Sequence, residues 1–216
     1  GSARSGLDLN KIPVVPDYML EVEPEGSFML IDPSSGKKDG DDLTIEHFSV
    51  VDGIPIFDDL ECGTLTPLET IKSAIALGFK YNTRLICVED VAYQSTLLFW
   101  FNHYCNEQGI SGFEFWPVSP KNRAKNTRIK KGIIKFMGTD AKPPEMYLGP
   151  KVRSRYLEQA MEWNPLKTDN RDDIIDPPGY VEEVLQLYPE YIIKNTFDVL
   201  EENVSAAHES DLALPF

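Results

Sequence analysis

The stretch Phe28-Met29-Leu30-Ile31-Asp32-Pro33-Ser34-Ser35-Gly36-Lys37-Lys38-Asp39-Gly40-Asp41-Asp42-Leu43-Thr44 decides how the chain is organised. An apolar run ends on a carboxylate, a Pro/Ser/Gly turn follows, and polar chain feeds a second apolar run. This is the pattern of a strand that delivers Asp32 to the rim of a sheet, with a hairpin returning beside it. An acid at the end of a buried strand costs desolvation energy unless something compensates it. Asp32 is therefore expected to have companions.

Working outward, Ser27 to Ile31 reads as the first strand, and Leu43 to Val51 and Ile54 to Leu60 as the next two. The turn Asp52-Gly53 joins the latter pair in a meander. Thr66-Pro67 caps a helix to about Phe79, with Glu69 in its first turn. Arg84 to Glu89 is a buried strand that again ends on a carboxylate. A helix from Tyr93 to Gln108 is closed by Gly109. Phe113 to Val118 is a strand that Pro117 assigns to a sheet edge. Helices are expected from Asn122 to Met137, from Val152 to Met161, from Val181 to Tyr188 and from Tyr191 to about Val204, with a short strand at Glu145 to Leu148. The order β-β-β-α-β-α-β-α gives an α/β class: a mixed sheet of an antiparallel three-strand meander plus parallel strands, flanked by helices. Residues 1–27 read as a tag remnant (Gly1 to Gly6) and an extended lead-in, hinting at a longer parent chain. Residues 28–204 read as one domain, and residues 205–216 as a flexible tail.

The chain has 216 residues, 42% of them apolar, enough for a substantial core. No run of 18 apolar residues and no secretory leader is seen, so neither membrane nor export is expected. Cys62, Cys87 and Cys105 are odd in number and widely spaced, which excludes a disulfide framework and a paired-cysteine zinc site. His47, His103 and His208 are too scattered to form a metal pair; His47 is expected to face outward on its strand. Phe99, Trp100, Phe101 and Tyr104 have helical spacing and read as core. No phosphate-cradling Gly-x-x-x-x-Gly-Lys-Ser/Thr loop is present, so these residues carry no ATPase. The net charge of −14 argues by itself against a nucleic-acid binder. Its distribution argues otherwise: Lys121 to Lys135 holds seven of the 21 basic residues and no acid. Lys121, Arg123, Lys125, Arg128, Lys130 and Lys131, with Lys37 and Lys38 in the first turn, are candidates for a DNA-backbone track. The bland alternative is a solvated basic helix face.

The acids are more informative. Asp32 ends the first strand, Glu89 ends the fourth, and Asp172, Asp173 and Asp176 begin a late helical stretch. If strands one and four lie parallel and adjacent, Asp32 and Glu89 emerge at one edge, and a helix entering there brings the late acids against both. Carboxylates in contact repel unless a cation sits among them. Oxygen ligands with room for water suit Mg²⁺ or Mn²⁺. Two such ions about 4 Å apart can activate water and stabilise the leaving oxygen of a phosphodiester.

On these residues the chain resembles the nuclease domain of the large terminase subunit of tailed bacteriophages, a member of the RNase H-like group that includes retroviral integrases. The resemblance covers roughly Phe28 to Tyr188. It rests on Ile31-Asp32-Pro33 before a Gly/Lys/Asp turn, Val88-Glu89-Asp90, the Lys125-Asn126-Thr127-Arg128-Ile129 segment, and Asp172-Asp173-Ile174-Ile175-Asp176. It implies an RNase H-like fold and a nuclease that cuts concatemeric viral double-stranded DNA during packaging. It also implies two divalent cations held by Asp32, Glu89 and Asp173 or Asp172, with Asp173 favoured and Asp176 as a cap or outer group. The late motif departs from the family: Pro177-Pro178-Gly179 interrupts the helix expected after Asp176, and Arg171 stands where a His is usual, so the choice among the three late acids stays open. Implied partners are double-stranded DNA, an upstream packaging ATPase domain, a portal and a small terminase subunit, in the host cytoplasm. The rival readings are a RuvC-like resolvase or RNase H of the same fold, and a non-catalytic acidic module that docks on a portal.

Overall fold

The computed structural model describes residues 2–33, 43–89, 92–119 and 123–193. Six strands form one sheet: β1 (Gly26–Asp32), β2 (Leu43–Val51), β3 (Ile54–Gly63), β4 (Leu85–Glu89), β5 (Glu114–Val118) and β6 (Tyr147–Leu148), in the order β5-β4-β1-β2-β3-β6. The helices are α1 (Asp17–Glu21), α2 (Pro67–Tyr81), α3 (Ala92–Gln108), α4 (Lys125–Met137), α5 (Arg153–Glu162), α6 (Val181–Leu187) and α7 (Pro189–Ile192). β1, β2 and β3 form the expected antiparallel meander, while β1/β4, β4/β5 and β3/β6 are parallel. Asp52 and Gly53 both adopt positive φ, 52° and 73°, as a two-residue hairpin requires. Pro117 lies on the edge strand β5, where its missing N–H costs no ladder bond.

The sheet is covered on both faces. Alternation along β1 sends Phe28 and Leu30 to a core with Ile129, Ile133 and Phe136 of α4 and Tyr156 of α5. Met29 and Ile31 go to a second core with α2 and α3 residues such as Ile71, Ile75 and Leu97. α2 begins as the sequence indicates: Thr66 accepts from the Glu69 N–H, and the Glu69 carboxylate accepts from the Thr66 N–H. The lead-in is partly helical, with Leu9, Ile12, Val15 and Met19 buried.

Three expectations need correction. His47 does not face outward. It shares the phase of Met29, its partner on β1, so it points into a covered face, where it is fully buried. There its ring meets Asp58 Oδ1 at 2.5 Å and Thr83 Oγ1 at 2.7 Å. Phe99 is not core but 61% exposed, because α3 is sheathed by the sheet on one side only. The late acids do not start a helix. Asp173 to Ile175 form a turn and Pro177–Tyr180 a 3₁₀ turn before α6, as the proline pair dictates. The helix expected from Tyr191 onward is described only as far as Ile193; the rest, with Lys37, Lys38 and Lys121, lies outside the described residues.

Candidate metal centre

Asp32 and Glu89 are the last residues of two adjacent parallel strands whose register pairs Ile31 with Val88. Each stands two positions beyond a residue of the α4-side core, Leu30 and Cys87 respectively, so both carboxyls rise on that face. Their carboxyls lie beside each other and each bears on the other electrostatically. Burial pushes Asp32 well above the usual carboxylate range, the negative charges of Asp176 and Glu89 add to this, and Lys125 opposes it. Tyr180 Oη donates to Glu89 Oε1 at 2.6 Å.

Asp176 is brought to this edge by the Pro177–Tyr180 turn. Its carboxylate accepts a bidentate pair of bonds from Arg128 of α4, at 2.8 Å from Nε and 3.0 Å from Nη2. The same guanidinium lies 3.9 Å from Glu89 Oε1 and 4.7 Å from the centre of the Tyr180 ring. Burial pushes the Asp176 carboxyl up while Arg128 and Lys125 pull it down. The close approach of the turn to α4 needs Gly179, where a Cβ would stand 2.4 Å from Arg128 Cγ.

Asp173 sits further along. Gln159 Nε2 donates to its Oδ1 at 2.8 Å, and the Cys62 thiol lies 3.5 Å from its Oδ2. Asp172 pairs with Lys125 Nζ at 2.7 Å. Among the described residues, no group of three or more His, Cys, Asp or Glu side chains is arranged to hold a metal ion. The late acids are each drawn to a different partner: Arg128, Gln159 and Lys125.

The basic band is largely paired with acids late in the chain. Arg123 meets Glu183 at 3.2 Å, and Lys131 and Lys135 both bond Glu182. Arg128, expected on a DNA-facing track, is instead buried and turned inward to Asp176. Lys130 is exposed.

One residue escaped the sequence reading. Glu46, in the middle of β2, is wholly buried, and neither carboxylate oxygen has a hydrogen-bond partner. Burial and the charges of Asp32, Asp176 and Asp173 push its carboxyl well up. The available signal was phase: Glu46 alternates with Thr44 and Phe48, on the same side as the core.

No family model matches the chain, and neither does any curated protein sequence. Solved structures do. The human cytomegalovirus terminase nuclease domain superposes with a TM-score of 0.58 at 10% identity, over 86% of this chain and 96% of that one. The fold is that of a terminase nuclease domain. The bacteriophage P22 large terminase nuclease domain gives 0.54 at 7% identity, covering 91% of this chain and 94% of that one. The large terminase of a thermophilic bacteriophage gives 0.52 at 12% identity, covering 84% of this chain. The match takes in 44% of that phage protein's length. The six-stranded mixed sheet with helices on both faces is therefore the RNase H-like arrangement of the terminase nuclease fold, and at these identities the likeness is one of fold.

Proposed function

We propose that this chain is a divalent-metal-dependent endonuclease for double-stranded DNA, acting as the nuclease domain of a viral genome-packaging terminase. The observation that carries the reading is the Asp32–Glu89 contact. Two carboxyls from neighbouring parallel strands are held together at one sheet edge, in a fold shared with terminase nuclease domains. Partly buried carboxyls side by side are an unfavourable arrangement that a cation relieves. The donor set is all oxygen, which suits Mg²⁺ or Mn²⁺, and the orphaned oxygens of Glu46 beside it fit the same chemistry.

Asp32, Glu89 and Asp173 or Asp172 would hold two such ions, with Asp176 beside them. When bound, the ions supply a water of lowered pKa and offset the charge that develops on the scissile phosphate. The chain's own side chains set the positions: Tyr180 orients Glu89, Arg128 fixes Asp176, and Gln159 holds Asp173. Lys121, Arg123, Lys125, Lys130 and Lys131, with Lys37 and Lys38, would contact the DNA backbone, exchanging acid partners for phosphates where they are paired. An upstream packaging ATPase domain, a portal and a small terminase subunit complete the proposed machine, in the host cytoplasm.

Incubating the protein with plasmid and Mn²⁺ tests the reading. Nicked and linear products are expected, and Asp32→Asn or Glu89→Gln should abolish them. Plasmid left intact across wide protein and Mn²⁺ ranges would overturn it in favour of a docking module. Faster cutting of four-way junctions or RNA–DNA hybrids in the same assay would move it to a resolvase or an RNase H.

A further inference from the structure

We propose that Glu46 is a further ligand of this cation site, reaching it from β2, the strand that flanks β1 on the side away from β4. The inference rests on the metal-dependent reading above and extends its donor set to a third strand.

Register places the residue. Glu46 pairs with Leu30 of β1 and Leu60 of β3, and Leu30 in turn pairs with Cys87 of β4. Directly paired residues share a face, and so do residues two apart. Asp32, two beyond Leu30, and Glu89, two beyond Cys87, therefore rise on the same face as Glu46. Asp32 and Glu46 are diagonal neighbours across an antiparallel pair, within reach of a long side chain. Three adjacent strands thus each present one acid to the same side.

Burial and lack of partners then separate Glu46 from an ordinary core residue. A buried polar group is almost always hydrogen-bonded, yet both Glu46 oxygens lack a partner, as does the buried hydroxyl of Tyr156. The Glu46 carboxyl bears on the Tyr156 hydroxyl electrostatically. The charged groups that bear on Glu46 are Asp32, Asp176 and Asp173, all acidic. A glutamate that only filled space would be better replaced by Leu or Gln. A glutamate with unpartnered oxygens in the field of three acids is what a doubly charged cation would relieve. Neighbouring carboxylates already held by Arg128 and Gln159 leave Glu46 with unspent coordinating capacity.

The test measures Mn²⁺ binding directly, by calorimetry and by the electron paramagnetic resonance signal of free Mn²⁺, on wild type, Asp32→Asn, Glu46→Gln and Glu46→Asp. Loss of Glu46 should weaken binding about 10-fold or more, with Glu46→Asp recovering part of it, and the metal-free Glu46→Gln protein should melt no lower than wild type. Binding by Glu46→Gln within about twofold of wild type, alongside a loss in Asp32→Asn, would overturn the role of Glu46 and leave the metal-dependent reading intact. No Mn²⁺ binding by wild type would overturn both. Anomalous diffraction from wild-type crystals soaked in Mn²⁺ decides independently of how the variants fold: an ion within coordinating distance of a Glu46 oxygen is expected, and an ion bound by Asp32 but out of reach of Glu46 would overturn the proposal.

Discussion

Arg128 shows how much one side chain can organise. It is buried, makes two bonds to Asp176, approaches Glu89 and covers the Tyr180 ring. Removing one member of such a pair leaves an uncompensated buried charge. Arg128→Met should destabilise the fold by about 3–5 kcal/mol in urea titrations, while Arg128→Lys, which keeps charge but not the bidentate fork, should lose less. At this scale the sequence was legible where an acid interrupts an apolar run at its end, as at Asp32 and Glu89. Glu46 was missed because an acid in the middle of a run carries no end-of-strand signal, although its phase, shared with Thr44 and Phe48 and opposite to that of His47, is the core side. The pairing of β2 between β1 and β3, with helices over both faces, turns the opposite phase inward as well. His47, in that second phase, misled because both phases of β2 are buried.

At the scale of elements, the turn from Pro177 to Tyr180 and helix α4 form one unit. Gly179→Ala would drive a methyl against Arg128, at a cost of about 1–3 kcal/mol typical of overpacking. Chemical denaturation should show that loss. α4 also meets α6 through Glu182, whose carboxylate Lys131 and Lys135 hold down to about 2 from an ordinary 4.5. A depressed folded value stabilises fully above 4.5, and the contribution disappears as pH falls through about 2. With its side chain 39% exposed, Glu182 is screened by solvent, so Glu182→Gln should cost less than about 1 kcal/mol at about pH 6, and the difference should close near about pH 2. Thermal melts across that range would measure it. The sequence announced α2 through its capping box and the β2–β3 hairpin through Asp52-Gly53, because those signals are local. The pairing of Arg128 with Asp176, 48 residues apart, has no local signal, so the roles of Asp172, Asp173 and Asp176 could not be sorted from spacing.

For the molecule as a whole, a net charge of −14 sets the terms of any meeting with DNA. Much of the basic band is already matched with acids of residues 172–183. DNA binding by this chain alone should therefore be weak and lost on adding salt, and Lys130→Ala should lower the log–log salt slope by about 1 without changing sequence preference. Filter binding or anisotropy over a salt series would show it. The opposite end of β1 has a different character. Gly26 pairs with Ile193 in a single bridge, and a Cβ on Gly26 would stand 2.5 Å from the Ile192 carbonyl oxygen. The length of β1, roughly 20 Å, separates that junction from Asp32. Ile193 is 54% exposed there. The strand thus works as a fixed ruler with the acids at one end and the Ile193 junction at the other. A dye carried by Ile193→Cys would ride at a fixed distance from the carboxylates, so energy transfer to acceptor-labelled DNA should appear if the acids engage DNA as proposed, and stay absent if they do not.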